Sequence, residues 1–412
     1  MLPNVKKTKL FNKLLMKKRT YPYYKTAFEG QDKPFAYVDL DYFDQNMNDI
    51  LKRANQKKIR IASKSVRCVA LLRRILDYNE QYQGLMCFSA KEAVWLSKQG
   101  FDDLLVAYPT FQVKHIEAVA EEIQKGKKIY LMTDKMEHLQ QINTVGARLK
   151  VKIPICMDLD VSSDYPGLHF GVHRSSLYTL EAVESYLKEL PKYPFVNLRA
   201  VMGYEAQIAG VGNQMPNQAV KNRLIRILQK RSIREIRARR GEAIKLVEAA
   251  VGTLDFVNGG GTGSIEVTTE EEGVTEVAVG SGFYTPTLFD HYEHFQHLPA
   301  AGYAVEIVRQ PKADVYTCLG GGYVASGPLG IDKLPKPFLP EGCELYPNEM
   351  AGEVQTPIHY TGTDPLKIGD PVFFRHSKAG ELCERFNALL LLKGGKVVEQ
   401  TPTYRGAGKC FL

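Results

Sequence analysis

A chain of 412 residues is longer than one typical domain, so two domains are the first expectation. Hydrophobic residues make up 44% of the chain and charged residues 24%, which is ordinary for a globular protein. No apolar run approaches the roughly 18 residues of a membrane-spanning helix, so no membrane partner is expected. The seven scattered cysteines contain no Cys-x-x-Cys pair, which argues against a disulfide framework and indicates a reducing compartment, the cytoplasm.

The formal charge of +8 comes from the beginning of the chain, because residues 1–25 hold eight basic residues and no acidic one. A tail of this kind can bind nucleic acid or anionic lipid. The simpler interpretation, which we adopt, is a solvated and partly helical N-terminal extension with neither partner. The segment also lacks the uninterrupted apolar stretch and small-residue cleavage site of a signal peptide.

From residue 41 the chain alternates helix-like and strand-like segments, beginning with the helical pattern FDQNMNDILKRANQ. A long basic helical pattern at 217–250 is predicted to turn Leu224, Ile227 and Ile236 toward a sheet and its arginines toward water. Eight apolar strands alternating with helices favour a (β/α)8 barrel, with a doubly wound open sheet as the competing architecture. The predicted strands are 58–63, 84–88, 103–107, 128–132, 153–159, 197–205, 254–258 and 275–279.

After about residue 295 the composition of the sequence changes: glycine and proline become frequent and helical periodicity almost vanishes. This part predicts a second, mostly β domain. The segment FAYVDLD at 35–41 precedes the barrel pattern, and its strand at 35–40 could join that β domain. The predicted division is a basic extension at 1–34, a barrel at 35–295 and a β domain at 296–412.

In such a barrel, functional side chains gather at the C-terminal ends of the strands. Lys64 ends the first strand, where partial desolvation would favour the neutral amine that attacks a carbonyl. The segment FVNGGGTGS at 256–264 has the glycines and hydroxyls of a phosphate cradle, ahead of a predicted helix N-terminus. A turn without a ligand is the equal alternative for that segment taken alone. A lysine beside a phosphate cradle suggests pyridoxal 5′-phosphate (PLP).

Several segments together resemble the fold-type III PLP enzymes, the alanine-racemase-like barrel group, and within it the D-threonine aldolase and D-serine dehydratase branch. They are PFAYVDLDYFDQNM, IRIASKSVR, MDLDVSSDYPGLHFGVHRSS, VMGYEAQ and NGGGTGS, in that order. The resemblance implies a Schiff base on Lys64, contact of Arg174 with the phenolic oxygen of the cofactor, and Tyr204 against or near its pyridine ring. It also implies phosphate contacts from Gly260, Gly261, Thr262 and Gly263.

The β domain departs from the pattern of that branch, in which a histidine and a nearby Cys or Asp hold a divalent metal. His376 fits the histidine, but Cys383 lies seven residues further on. A metal such as zinc on both residues and an unmetallated pair are both left open, so the metal site is unknown. The histidines at 291, 294 and 297 are interpreted as part of an amphipathic surface helix. The pair Tyr404 and Arg405 is a further candidate to reach the active site.

The resemblance implies a PLP-dependent lyase that acts on a D- or β-hydroxy α-amino acid through an external aldimine. The outcome would be retro-aldol cleavage or dehydrative deamination, with Lys64 as α-proton base and His376 as the group for the β-hydroxyl. An amino-acid racemase is the main alternative. A non-enzymatic PLP carrier and a phosphosugar-binding barrel without PLP are further ones. The resemblance also implies a homodimer, with active sites between the barrel and the partner's β domain.

Overall fold

The structure is a computed structural model that describes residues 18–411. Its largest feature is a closed barrel of eight parallel strands, in which the last strand pairs with the first through Val277 and Ile59. All eight predicted strands are present, and closure of the barrel excludes the doubly wound alternative. The strands are β2 (Lys58–Ala62), β3 (Tyr82–Cys87), β4 (Leu104–Val106), β5 (Ile129–Thr133), β6 (Ile153–Leu159), β9 (Val196–Gly203), β10 (Phe256–Gly259) and β11 (Glu276–Val279), with the hairpin β7 (Ser163–Tyr165) and β8 (Leu168–Phe170) after β6.

Amphipathic helices follow most barrel strands and cover their outer faces. In α2 (Leu40–Ala54), which precedes the first barrel strand, Phe43, Met47 and Ile50 are fully buried on one face, and Asp39 caps the N-terminus. The helices are α1 (Tyr21–Ala27), α2 (Leu40–Ala54), α3 (Val69–Tyr78), α4 (Ala90–Lys98), α5 (Val113–Gln124), α6 (Met136–Leu149), α7 (Leu180–Glu189), α8 (Ala206–Ala209), α9 (Ala219–Val251) and α10 (Ile265–Thr269).

The alternation of side chains along each barrel strand builds two separate cores. Ile59 and Ile61 point outward into the main hydrophobic cluster between strands and helices. Leu105, Met132 and Phe256 belong to a second cluster that fills the barrel interior. The barrel is therefore a packed structure, and space for a ligand is left at its ends rather than through its centre.

The second domain is a nine-stranded, mostly antiparallel sheet. Strand β1 (Phe35–Asp39) lies within it, antiparallel to β12 and parallel to β18, as the sequence allowed. The predicted limits at residues 34 and 295 stay a prediction. The other strands are β12 (Ala301–Lys312), β13 (Val315–Leu319), β14 (Lys336–Leu339), β15 (Cys343–Leu345), β16 (Gln355–Tyr360), β17 (Pro371–Arg375), β18 (Ala388–Lys393) and β19 (Lys396–Pro402).

The described part of the N-terminal extension is packed rather than solvated, which corrects the prediction for that part. Arg19 is buried and donates to Asp39 and Asp41, with a 2.7 Å bond to Asp39. Tyr24 is fully buried in an aromatic cluster with Phe28 and residues of the second sheet. Charge alone misled the prediction, because the positive charge of Arg19 is neutralised inside the fold. The rest of the basic tail, residues 1–17, lies outside the described residues.

Helix α9 confirms the long helical pattern but not the predicted orientation of its first half. Leu224 and Ile227 are 55% and 56% exposed, whereas Ile236 is buried. The inward face carries polar side chains because the neighbouring segment has backbone carbonyl groups that need hydrogen-bond donors. Gln229, for example, donates to the carbonyl oxygens of residues 207 and 211.

The three histidines at 291–297 do not lie on a helix, so that prediction is wrong. The segment is irregular, and its backbone is held by a loop, since the N–H of Asn213 donates to the carbonyl of His291. His297 is buried and approaches Arg53 and the carbonyl of Gly282. Within residues 18–411 no helix combines the length and apolarity that crossing a bilayer requires.

A buried ion cluster joins three barrel strands near their N-terminal ends. Arg60 makes two hydrogen bonds to Glu276, at 2.6 and 3.0 Å, and binds Asp103 at 2.9 Å. We expect Arg60→Ala to lower the free energy of unfolding by about 3–5 kcal/mol, because it leaves the Glu276 carboxylate buried without its partner. Denaturant titration measures this loss.

The matched control is Arg234→Ala on the exposed face of α9, which should change the free energy of unfolding by less than about 0.5 kcal/mol. Equal effects of the two substitutions would contradict a structural role for the buried cluster.

Candidate active site

A cavity of about 110 Å³ opens at the C-terminal ends of the barrel strands. Parallel strands bring these ends to one rim, so residues distant in sequence meet there. Its lining includes six of the seven residues predicted from sequence: Lys64, Arg174, Tyr204, Gly260, Gly261 and Thr262. Gly263 does not line it, because it packs against Ala209 and Tyr292, and its predicted phosphate contact stays a prediction.

Lys64 lies in a tight turn, Ser63–Ser65, directly after β2. The turn is held on two sides: the Ser63 hydroxyl donates to the carbonyl of Met86 at 2.9 Å, and Arg67 donates to the carbonyl of Lys64 at 2.9 Å. Gly380 of the second domain packs directly on that carbonyl, where an added Cβ would overlap it. The Lys64 side chain itself is exposed, so the desolvation expected from sequence is absent.

Tyr108 is a residue of the cavity that the sequence analysis missed. It follows β4 by two residues, and its hydroxyl accepts a hydrogen bond from Lys64 Nζ at 2.7 Å. Burial favours the neutral phenol, but the charges of Lys64 and Arg174 outweigh it and hold the pKa of Tyr108 below its usual value. Its position just past a predicted strand end was the only signal that could have found it.

Arg174 lies between two tyrosines, although it comes from an irregular segment after β8. Its guanidinium carbon is 5.8 Å from the ring centroid of Tyr108 and 5.6 Å from that of Tyr204. Burial raises the pKa of Tyr204 to about 12, so this phenol stays neutral at physiological pH. The cavity wall therefore combines two cationic side chains with one neutral and one acidified phenol.

Asp158, on β6, is a carboxyl group near this wall whose pKa is shifted. Burial and the neighbouring carboxylates of Asp134 and Asp160 raise the pKa of Asp158 to about 7, against the opposing effect of Arg174. Asp158 is thus close to half-protonated at neutral pH. Asp158 lies in β6, one of the strands whose C-terminal ends form the rim, but no local pattern in the sequence indicates its protonation.

The glycine loop after β10 turns tightly beneath the cavity. Gly260 has φ +83°, a conformation that favours glycine, and a Cβ on Gly261 would lie 2.9 Å from the Cβ of Ala209. The Ser264 hydroxyl donates to Glu205 and is not a free donor for a ligand, contrary to expectation. Helix α10, which follows, has only five residues, and the N–H groups of Gly260 and Gly261 already donate to Glu205 and to the Ser264 hydroxyl. The Thr262 hydroxyl, which accepts from the N–H of Gly282, keeps its own proton as a donor for a ligand.

A buried carboxylate fixes this loop from below. Glu205 accepts hydrogen bonds from the N–H of Gly260 at 3.1 Å, from the Ser264 hydroxyl at 3.0 Å and from the Thr268 hydroxyl. Arg240 of α9, fully buried, donates to Glu205 at 2.6 Å. Burial opposes the charge of Glu205, but Arg240 and the hydroxyl donors outweigh it and lower its pKa. The loop is thereby held in one conformation.

Arg53 of α2 fixes the same loop from the outer side. It donates to the carbonyl of Thr262 at 2.6 Å and makes two hydrogen bonds to Glu266 of α10, at 2.7 and 2.9 Å. Its guanidinium stacks on Phe295, with 3.8 Å between the guanidinium carbon and the ring centroid. The loop is therefore preorganised on both sides, as a site for an anionic group requires.

Comparison with known proteins gives the family. Residues 38–285 match the model of "Alanine racemase, N-terminal domain". The chain is 22% identical over 246 residues to 3-hydroxy-D-aspartate aldolase of Paracoccus denitrificans (strain Pd 1222), a match spanning 58% of each chain. This part is less than two thirds of that relative's length.

Solved structures match over nearly the whole chain. D-threonine aldolase from Filomicrobium marinum has a TM-score of 0.72 at 16% identity, covering 91% of this chain and 95% of that one. D-threo-3-hydroxyaspartate dehydratase from Delftia sp. HT23 has a TM-score of 0.74 at 16% identity, covering 91% and 98%. The chain belongs to the alanine racemase N-terminal domain family, and the resemblance stated from sequence is confirmed.

The cavity suits the PLP cofactor that this family implies. An amine, a planar cation and a glycine loop line one space, which matches the aldehyde, the phenolic oxygen and the phosphate of that molecule. The observation on which this fit depends is the loop itself, where side chains at residues 260 and 261 would be strained or crowded.

The residues proposed for a metal do not form a metal centre. Cys383 is buried as a thiol whose sulfur donates to the carbonyl of Val66 at 3.4 Å, and burial raises its pKa above the usual range. His376 is buried too, and burial lowers its pKa to about 3. Across residues 18–411, no group of three or more His, Cys, Asp or Glu side chains could hold an ion.

Two further sequence candidates lie away from the cavity. His376 lines a separate space of about 410 Å³ in the second domain, with Ser377, Lys378 and Glu381 among its neighbours. Tyr404 is buried, and its hydroxyl donates to Glu92 at 3.0 Å. Neither residue lines the Lys64 cavity of its own chain, and neither does Arg405.

The displaced titration of Asp158 gives a prediction about stability. In the unfolded chain an aspartate titrates near about 3.9, so the folded state binds the proton more tightly between about pH 4 and 7. This group therefore lowers stability as pH rises through that window. Asp158→Asn should stabilise the fold by about 1–3 kcal/mol at pH 8 and by almost nothing at pH 3.

Denaturant titration at the two pH values measures this difference. Asp77→Asn, on the exposed side of α3, is the control and should stay within about 0.5 kcal/mol at both. A gain for Asp158→Asn that does not depend on pH would contradict the explanation.

Proposed function

We propose that this protein is a PLP-dependent lyase that acts on a D- or β-hydroxy α-amino acid. The reaction would be retro-aldol cleavage or dehydrative deamination. The observation that carries the proposal is the meeting of Lys64, Arg174 and the glycine loop around one cavity at the barrel rim. The names of the relatives, an aldolase and a dehydratase of 3-hydroxyaspartate and an aldolase of D-threonine, support a lyase.

Each site residue has a role that follows from its chemistry. Lys64 supplies the amine for the aldehyde carbon. Gly260, Gly261 and Thr262 face the phosphate: the glycines allow its close approach, and the Thr262 hydroxyl is the donor. Arg174 is the cation for the phenolic oxygen, since a guanidinium stays charged at every relevant pH. Tyr204, neutral and half-buried, lies where it can pack on the ring.

PLP, when bound, supplies an electron sink for the charge that develops at the α-carbon of an amino acid. The protein must then hold and move protons around that carbon. Lys64 Nζ is the base assigned to the α-proton, once a substrate amine has replaced it. Its backbone turn is fixed by Ser63 and Arg67, so the side chain begins from a defined position at the rim.

None of the barrel residues predicted from the sequence is a base for the β-hydroxyl. His376 is assigned to this role, yet within one chain it lines the other cavity. We therefore propose a homodimer in which the β domain of one subunit faces the barrel rim of its partner. The cytoplasm remains the proposed location.

The racemase alternative needs two bases on opposite faces of the substrate, the second of them a tyrosine of the β domain. In residues 18–411, the tyrosines that line the Lys64 cavity are Tyr108 and Tyr204, and both belong to the barrel. A tyrosine of the partner's β domain would lie outside this single-chain lining, and the assay below separates the two reactions.

Lys64→Ala should abolish turnover, by about 10³-fold or more, and should remove the cofactor adduct that borohydride traps in the wild-type protein. The assay offers D- and L-amino acids with and without a β-hydroxyl, and measures aldehyde, ammonia, 2-oxo acid and chirality together, with and without a chelator. Lys58→Ala, at the opposite end of β2, is the control and should keep both adduct and activity.

Racemisation without aldehyde or ammonia would establish the alternative function. A wild-type protein that traps no cofactor would contradict the proposal as a whole.

A mixed-dimer experiment tests the shared site. We expect Lys64→Ala and His376→Ala homodimers to be inactive and their co-expressed mixture to regain about a quarter of wild-type activity. Half of the dimers would be mixed, and each would carry one intact site. Purified mixed dimers, separated by two different tags, are assayed against each parent.

An inactive mixed dimer would place both residues in the same chain's site. An active His376→Ala homodimer would contradict the assignment of the β-hydroxyl base. Cofactor trapping on Lys64 in His376→Ala verifies that this variant is folded.

A further inference from the structure

An exposed lysine needs a reason to lose its proton. Lys64 must be a neutral amine to attack a carbonyl, and an unperturbed lysine titrates near about 10.4. Burial would provide the neutral form, but the Lys64 side chain is exposed. Whatever prepares this amine must therefore be a neighbouring group rather than the dielectric of the protein.

Tyr108 is the neighbour that touches the amine. Its hydroxyl oxygen lies 2.7 Å from Lys64 Nζ, and both side chains line the cavity. Tyr108 is anchored at the rim because the N–H of Ala107, the residue before it, donates to the carbonyl of Cys87 at 2.9 Å. The contact thus joins residues that follow β2 and β4, the two strands that flank β3 in the barrel.

The groups around Tyr108 favour its charged form. Lys64 and Arg174 are the cations that face it, and Asp158 is the carboxyl group that opposes them. Tyr204, the other phenol at Arg174, is neutral. Because Asp158 is close to half-protonated at neutral pH, its opposition is incomplete there. The two cations therefore prevail over burial and over Asp158.

We propose that Tyr108 is the proton acceptor of the Lys64 ammonium, and so prepares this amine for the cofactor. One proton moves from Lys64 Nζ to the phenolate oxygen of Tyr108, which leaves a neutral amine and a neutral phenol. No other bond changes, and no co-reactant is needed. This inference rests on the proposed role of Lys64, and it adds a catalytic residue that acts on the reacting nitrogen.

The first measurement needs no cofactor. Ultraviolet titration of tyrosinate, on the full chain freed of cofactor, should show one phenol that ionises below the usual value of about 10. Tyr108→Phe should remove that phenol, and Lys64→Met should raise its titration. Tyr204→Phe is the matched control, because it removes a phenol beside the same arginine and should leave the low titration in place. If the low-titrating phenol is still present in Tyr108→Phe, the proposal is overturned.

The second measurement is the rate at which added PLP attaches to Lys64, followed by its absorbance as a function of pH. We expect Tyr108→Phe to slow attachment by about 10²-fold at neutral pH. The rate should return as pH rises toward the lysine value, because solvent then removes the proton. Attachment that is slower at every pH would indicate a folding defect and would overturn the proposal. A pH profile of Tyr108→Phe equal to that of the wild-type protein would overturn it as well.

The two measurements separate this inference from the proposed function. If wild-type protein attaches no PLP, the proposed role of Lys64 fails, and this inference about its proton fails with it. If wild-type attaches PLP and Tyr108→Phe does so equally fast at neutral pH, only the present inference fails.

Discussion

The charge pair between Glu205 and Arg240 is the constraint on which the site depends. Glu205 follows one barrel strand, Arg240 belongs to the helix after it, and the glycine loop follows the next strand. One carboxylate thus connects three successive parts of the barrel through Gly260, Ser264 and Arg240. Loss of Arg240 would leave Glu205 and Glu271 buried without their partner, a cost of about 3–5 kcal/mol. The glycine loop is therefore tied to the barrel by a buried charge pair.

The sequence could predict the features that follow from local pattern. Apolar strands at regular intervals specify the barrel, because each must be buried on both faces. The gathering of functional side chains at the C-terminal ends of the strands then selects Lys64, and the family resemblance adds Tyr204. What the sequence could not predict depends on distant partners. Tyr108 carries no pattern that distinguishes it from a packing tyrosine. The sequence assigns Arg19 to a charged tail, because its partner Asp39 is distant from it in the chain. It assigns Leu224 to the core, because the polar loop beneath α9 has no sequence signal near Leu224.

The charges of the rim explain how one small cavity can hold groups in different protonation states. Lys64 and Arg174 stabilise an anion, whether a phenolate or a ligand oxygen, whereas the carboxyl of Asp158 is raised to a pKa of about 7 by burial and its acidic neighbours. Tyr108 and Tyr204 are chemically identical, yet only Tyr108 has a cationic hydrogen-bond donor at 2.7 Å. A difference in one contact thus gives two phenols different functions: one holds a proton and the other can accept one.

The two domains divide the chemistry between them. The barrel carries the amine, its proposed proton acceptor and the glycine loop, and Gly380 of the second domain packs on the Lys64 turn. The second domain carries His376, whose ring nitrogens make no hydrogen bond of ordinary geometry within the described chain. His376 contacts the Ala379 backbone and lies beside the space lined by Ser377, Lys378 and Glu381, which is the part of the second domain that the proposed homodimer brings to the barrel rim of its partner.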